Sequence, residues 1–315
     1  MTVINSSLRF FRRILTKKSI FLSKNSWEKS KIIGPDPTNE QLTASVSAIN
    51  HLGEASEISV VTEKPLTIYL NSQEIVTAMT IGDYPSLLAL GYLKNQGMLQ
   101  QTDQITSIEV EEDLNVVVVR TKRETNYEEK LSRKIRTSGC AVGTIYGDIM
   151  DGLQDIELPF SEIKVSHLYG LSKKINLIPS LYLEAGAIHG TVLCQEDVPL
   201  VYMEDVGRHN AVDKVAGWMF ENDHLGADKI LYTTGRLTSE MVIKTALMEI
   251  PILGSRSGFT AWGVELANDL GMTLIGRLRG KRFLCLSGSE RLIWDIETSE
   301  NESFAEPNKS GTKMA

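Results

Sequence analysis

The feature that most limits how this chain can fold is a regular alternation between residues 230 and 276. Apolar runs at 230–233, 252–254 and 273–276 are too short for helices, and segments with helical spacing at 209–220, 239–249 and 261–270 lie between and beside them. Strands separated by helices of this length run parallel, because the intervening helix carries the chain back to the edge it left. Pro251 opens one strand, where its missing N–H is tolerated, and Gly271 stands at a helix C-cap. Two further strands, 188–193 and 200–203, pair across Glu196 and Asp197 ahead of the alternation. The expected fold here is an α/β domain with a largely parallel sheet.

Upstream, the apolar spacing becomes that of strands. Leu66, Ile68 and Leu70 alternate, residues 71–73 make a polar turn, and Ile75 and Val76 resume, which predicts a hairpin. Asp83 is suited to N-cap a helix with Pro85 in its first turn, an apolar stripe at Leu87, Leu88, Leu90 and Leu93, and Gly97 past its end. Strands at 105–110 and 116–121 flank a turn at 113–115. A charged stretch, 122–136, leads to Thr137-Ser138-Gly139-Cys140-Ala141-Val142-Gly143-Thr144, after which Ile145, Ile149 and Leu153 predict one face of a short helix. A chain of 315 residues accommodates two domains. The expected order is a basic, disordered extension (1–58), a smaller α+β domain (59–160) ending in the Cys140 loop, an α/β domain (161–297) entered through a helical linker at 161–174, and a polar tail (298–315).

The net charge of −7 hides an asymmetry. Residues 1–33 carry eight Lys or Arg against one Glu, a net of +7, which leaves −14 on the remainder. So acidic a body is a poor general binder of nucleic acid, and an anionic ligand has to be held by local Arg clusters. No window approaches the roughly 18 consecutive apolar residues of a membrane-spanning helix. Within the basic arm, Phe11-Arg12-Arg13-Ile14-Leu15-Thr16-Lys17 is similar to a twin-arginine signal, but only Ile20, Phe21 and Leu22 follow, between Lys18 and Lys24, where an export signal needs a longer apolar stretch. The expected location is cytoplasmic, with neither nucleic acid nor membrane as a partner.

In open α/β sheets, ligands bind beyond the carboxyl ends of the strands, where helix N-termini point. Those positions read Thr234-Gly235-Arg236-Leu237-Thr238-Ser239, Ser255-Arg256-Ser257-Gly258 and Arg277-Leu278-Arg279-Gly280-Lys281-Arg282. Arg with Gly and hydroxyl residues at consecutive strand ends suits a phosphate or diphosphate, because guanidinium forks bind phosphate oxygens in pairs. Single Arg residues of this kind are more often solvated or paired with surface acids. The segment from Glu204 to Lys214 has the same character at a fourth strand end. There Asp205 or His209 is either an acid–base group or a helix cap. No P-loop or dinucleotide fingerprint is present, and no spacing suits a metal.

Three cysteines without paired spacing point to a reducing compartment. Cys194 and Cys285 sit in apolar strand-like runs, where burial favours the neutral thiol. Cys140 lies in a Gly, Ser and Thr rich loop with Arg136 four residues earlier, a setting that favours the reactive thiolate.

With these residues in order, the chain resembles the FdhD family, sulfur carriers needed for formate dehydrogenase activity. The likeness runs from Pro65 to Ile293. It rests on Glu204-Asp205-Val206-Gly207-Arg208-His209-Asn210-Ala211-Val212-Asp213-Lys214, on Thr234-Gly235-Arg236 with Ser239-Glu240-Met241-Val242, on Ser255-Arg256-Ser257, and on Leu274-Ile275-Gly276 with its basic loop. The resemblance implies a second domain similar to the cytidine deaminase fold without its zinc, a three-layer α/β/α sheet. It also implies a sulfurtransferase: a cysteine desulfurase gives sulfur to Cys140 as a persulfide, which passes to a molybdenum bis(molybdopterin guanine dinucleotide) cofactor bound for the formate dehydrogenase apoenzyme. The family's cofactor-binding loop falls on Leu278, Arg279, Gly280, Lys281, Arg282 and Phe283, with Arg236 and Arg256 beside it. A homodimer is compatible with this reading.

The sequence departs from the family pattern at two places: upstream of His189, where the family's small hydroxyl and Gly run reads Ala185-Gly186-Ala187-Ile188, and in the cysteine loop. The family loop carries two cysteines in a C-x-x-C spacing, and the second position is Gly143 in this chain. Carriage on Cys140 needs one sulfur atom of the protein and survives, whereas release of sulfide by a neighbouring thiol does not. The alternative reading is a chaperone that holds the cofactor for the apoenzyme without moving sulfur.

Overall fold

The computed structural model describes residues 32–123, 134–136, 144–146 and 152–296, with the side chains of all but 134–136, 144–146 and 154. Cys140 lies outside the described residues. The first element is a hairpin of β1 (Thr43–Ile49) and β2 (Ala55–Val61), which begins ahead of residue 59. Its strands are largely exposed on both faces, and Ser45 and Ser47 on one strand donate to Glu57 on the other. A strand with two polar faces has no apolar alternation to announce it.

The next sheet has the strands β3 (Lys64–Leu70), β4 (Gln73–Thr80), β5 (Ile105–Glu111) and β6 (Val116–Thr121), in the order β4-β3-β6-β5. Leu66, Ile68 and Leu70 point to the core with Val117 and Val119, while the intervening residues face outward. Over this face lies α1 (Pro85–Asn95), whose Pro85 is preset for the first helical turn. Asp83 is not its cap. Tyr84 takes that position with a left-handed backbone, and the Asp83 carboxylate turns inward to pair with the buried Lys214.

Two short strands, β7 (Lys134–Arg136) and β8 (Thr144–Tyr146), pair antiparallel on either side of the segment that contains Cys140. Ile145 is therefore in a strand, and not in the helix its spacing with Ile149 and Leu153 predicts; residues 147–151 lie outside the described residues. After β9 (Ile163–Lys164) come α2 (Val165–Ile175) and α3 (Leu181–Ala185). Then follow β10 (His189–Gln195), β11 (Val198–Asp205), α4 (Arg208–Glu221), β12 (Lys229–Thr233), α5 (Ser239–Leu247), β13 (Ile252–Ser255), α6 (Ala261–Asp269), β14 (Thr273–Arg279) and β15 (Arg282–Ser287). A last strand, β16 (Leu292–Ile293), returns to pair parallel with β9.

The large sheet has the order β11-β10-β12-β13-β14-β15. Only β12 with β13 and β13 with β14 are parallel, and the other neighbours are antiparallel. The expected largely parallel sheet is thus a mixed one with a parallel centre. Hairpins are the reason: β10 turns into β11 at Glu196, and β14 turns into β15 at Gly280, both with left-handed backbone. The basic run 277–282 is accordingly not a free loop after a strand. Its first half extends β14 through a bulge in which Arg277 has φ 54°.

The two sheets are joined through helices. A Cβ on Gly91 of α1 would lie 1.7 Å from the carbonyl oxygen of Asp213, and one on Gly217 of α4 would lie 1.9 Å from that of Leu87. The two backbones touch, which only glycine permits. One hydrophobic core consequently contains Leu88 and Leu93 of α1, Val119 of β6, Val212 and Val215 of α4, Leu231 of β12 and Met241 of α5.

Candidate functional site

Parallel β12, β13 and β14 end on one edge of the sheet, at Thr233, Ser255 and Arg279. β11 runs the same way and ends at Asp205, whose register partner on antiparallel β10 is His189. Five strands therefore deliver residues to this edge.

The hydroxyl residues tie the edge loops together. Gly190 N–H donates to Thr234 Oγ1 at 2.9 Å, and Thr234 N–H returns a bond to the Gly190 carbonyl at 2.9 Å. Ser255 Oγ donates to the Gly235 carbonyl at 2.6 Å, and Ser257 Oγ to that of Thr234 at 2.8 Å. Satisfied in this way, the loops are held as a rigid rim from which the Arg side chains project.

Arg236 is exposed, and Arg256 is half-buried with its guanidinium carbon 5.7 Å from the centroid of the Tyr182 ring. Arg279 is exposed and its Nε donates to the Arg256 carbonyl at 3.1 Å, so these two come from adjacent strand ends to one place. Beneath them, burial pushes the Tyr232 hydroxyl up to about 12, against the nearby charges of Arg256 and Arg279. Gly280 has φ 58° and its N–H donates to Ser172 Oγ of α2 at 3.0 Å. Lys281 and Arg282 are exposed beyond the turn. Phe283 packs between Tyr169 and Trp294, with ring centroids 6.3 and 6.1 Å away. Leu278 faces the interior, 1% exposed.

The segment from Glu204 to Lys214 spends its polar groups on the fold. Glu204 accepts from the N–H groups of Leu181 and Tyr182 and from the Tyr202 hydroxyl, which fixes the start of α3 and hence Tyr182. Asp205 Oδ1 accepts from Gly207 N–H and Asn210 Nδ2, and its Oδ2 from Thr80 Oγ1 and Lys214. Every acceptor direction of that carboxylate is occupied, which favours the capping role over acid–base work. His209 is 2% exposed and lies 3.0 Å from Glu240 Oε2; burial holds its imidazole below the ordinary value.

Arg208 is the residue that sequence reasoning passed over. It opens α4 at 8% exposure, against Gly235, where a Cβ would approach its own Cβ to 2.9 Å. Its Nε and Nη2 are buried with no partner among the described residues. The available signal was its position: a cation at a helix N-terminus opposes the helix dipole and calls for an anion.

The environments of the other two thiols favour the neutral form. Burial pushes the Cys194 thiol far up, and burial also raises Cys285. Among the described residues, no helix is long and apolar enough to cross a membrane.

Known proteins are similar to this chain in sequence, and one solved structure in fold. The chain is 29% identical over 269 residues to the sulfur carrier protein FdhD of Wolinella succinogenes, covering 84% of this chain and 92% of that one. It is 30% identical over 244 residues to the protein of that name from Listeria monocytogenes, covering 75% and 92%. A crystal structure described as a formate dehydrogenase accessory protein, from Desulfotalea psychrophila, superposes with a TM-score of 0.66 at 26% identity, over 80% of this chain and 98% of that one. Residues 61–293 match the model of the FdhD/NarQ family, and the chain belongs to that family.

Proposed function

We propose that this protein is a sulfur carrier that serves formate dehydrogenase, with Cys140 as the carrying thiol and the Arg-lined strand-end edge as the place where the sulfur acceptor binds. The observation that carries the reading is the gathering of Arg208, Arg236, Arg256 and Arg279 on one edge of an acidic chain. The relatives' name, sulfur carrier protein, supports the chemistry.

In the first step the Cys140 thiolate attacks the terminal sulfur of a persulfide on a cysteine desulfurase. An S–S bond forms on Cys140, the donor's S–S bond breaks, and the donor leaves as a thiol. The acceptor, and so the substrate of the second step, is a molybdenum bis(molybdopterin guanine dinucleotide). Its diphosphates suit a rim of guanidinium groups that includes buried donors without acceptors. Arg236, Arg256, Arg279 and Arg282 would hold the phosphates, and Tyr182 offers a ring beside Arg256. Releasing the carried sulfur as sulfide takes two electrons. With Gly143 in place of a second loop thiol, an external thiol supplies them, attacking the Cys140 sulfur and leaving a mixed disulfide. The large sheet as a deaminase-like layer without zinc belongs to the same proposal.

Complementation of a strain lacking the carrier tests it. Cys140→Ser abolishes formate dehydrogenase maturation and Gly143→Cys does not. Full maturation with Cys140→Ser would refute sulfur transfer and favour the chaperone, for which Arg279 and Arg282 matter and Cys140 does not.

A further inference from the structure

Arg208 combines three properties that conflict unless an anion is bound beside it. It stands in the first turn of a fourteen-residue helix, at the positive end of the helix dipole. It is 8% exposed, yet its side chain makes no hydrogen bond or ion pair among the described residues, and Nε and Nη2 are fully buried. Such donors are strongly unfavourable without acceptors.

Its neighbours add positive charge. Burial, then Arg208, His209 and Arg236, hold the His189 imidazole below its ordinary value, and only Asp205 opposes them. Asp205 is already bound to Lys214, Thr80, Asn210 and the Gly207 N–H. Thr234 Oγ1 lies 3.5 Å from His189 Nδ1, and the Thr234-Gly235 loop passes against the stem of Arg208. Two guanidinium groups, an imidazole, a hydroxyl and a helix N-terminus thus converge, and the nearby Asp205 carboxylate is already engaged.

We infer that Arg208, with His189, Arg236 and the N-terminus of α4, forms an inner oxyanion subsite that takes one phosphoryl group of a diphosphate and draws a proton onto His189 as it binds. The inference rests on reading the strand-end edge as a diphosphate-binding surface, and adds to it a buried anchor and a proton. Phosphoryl oxygens supply acceptors for both orphan donors of Arg208. Their charge also offsets the repulsion from Arg208, His209 and Arg236 that adds to burial in holding the His189 imidazole below its ordinary value. By linkage, protonated His189 binds the anion more tightly, so affinity rises as pH falls through the imidazole range.

Calorimetric titration of the full chain with inorganic pyrophosphate and with inorganic phosphate, alongside NMR titration of the His189 ring, tests this. Pyrophosphate binds, raises the His189 pKa, and binds more weakly to Arg208→Gln by about tenfold or more; Arg208→Lys recovers part of the loss. Arg208→Gln also raises the His189 pKa in the free protein. Should Arg208→Gln fail to fold, His189→Gln decides: the ligand's own protonation is common to both proteins, so the wild type must show the steeper gain in affinity from pH 8 to pH 6. Pyrophosphate binding that is unchanged in Arg208→Gln, or equal pH slopes with an unresponsive His189 ring, overturns the inference and leaves the edge reading standing. Binding of neither probe to the wild type overturns both.

Discussion

Lys244 donates to both carboxylate oxygens of Asp213, at 2.7 and 2.6 Å, in a core where neither side chain is more than 2% exposed. Asn95 of α1 adds a 2.7 Å bond to the same carboxylate, so one buried charge ties α1, α4 and α5 together. Removing one partner strands the other in a medium that cannot solvate it. Lys244→Ala is therefore expected to cost about 3–5 kcal/mol in urea unfolding. A loss below about 1 kcal/mol, the range of exposed pairs, would contradict this assignment.

The crossing of α1 and α4 makes a steric prediction. Gly91→Ala or Gly217→Ala drives a methyl group into a carbonyl oxygen less than 2 Å away, so the helices must separate. Overpacking of this kind costs about 1–3 kcal/mol or more. Gly258→Ala, with no atom within 4 Å of the added carbon, is the control and stays within about 0.5 kcal/mol of wild type.

Acid sensitivity follows from His209, whose imidazole burial holds below the ordinary 6.5, with Glu240, Lys244 and Arg208 facing it. In the window below 6.5 the unfolded chain binds a proton that the folded one refuses, so this contribution is full above 6.5 and lost as pH falls. Asp83, raised by burial, works in the opposite direction. The comparison is consequently made within a pair: the thermal midpoint of wild type falls more between pH 7.5 and pH 5.5 than that of His209→Gln. Equal falls would remove His209 from the account.

Thiol chemistry separates the three cysteines. With burial raising both Cys194 and Cys285, alkylation of the native protein at neutral pH reaches Cys140 first, then Cys285, and Cys194 only on unfolding. Peptide mass mapping over a time course reads the order, and first modification at Cys285 would contradict it.

The parallel centre of the large sheet was legible because Ile230, Leu231, Ile252, Leu253, Leu274 and Ile275 form short apolar runs buried on both faces. Of its antiparallel flanks, the β10–β11 hairpin across Glu196 was legible too, whereas the β14–β15 pair was not, since a hairpin at Gly280 and a crossover look alike until a helix fails to follow. Arg277 to Arg282 hid an extended strand because exposed charged residues carry no apolar period. Nothing in the sequence around Lys214 and Lys244 marks them as buried, yet each is buried against a carboxylate that sequence alone does not bring near. The same holds for Arg208, whose burial depends on Gly235, far along the chain.

The most direct measurement of the central claim is the intact mass of the protein after incubation with a cysteine desulfurase and cysteine, followed by peptide mapping. The account predicts a gain of one sulfur atom, lost on reduction, on the peptide that contains Cys140 and absent from Cys140→Ser. No gain, or a gain that Cys140→Ser retains, would contradict it.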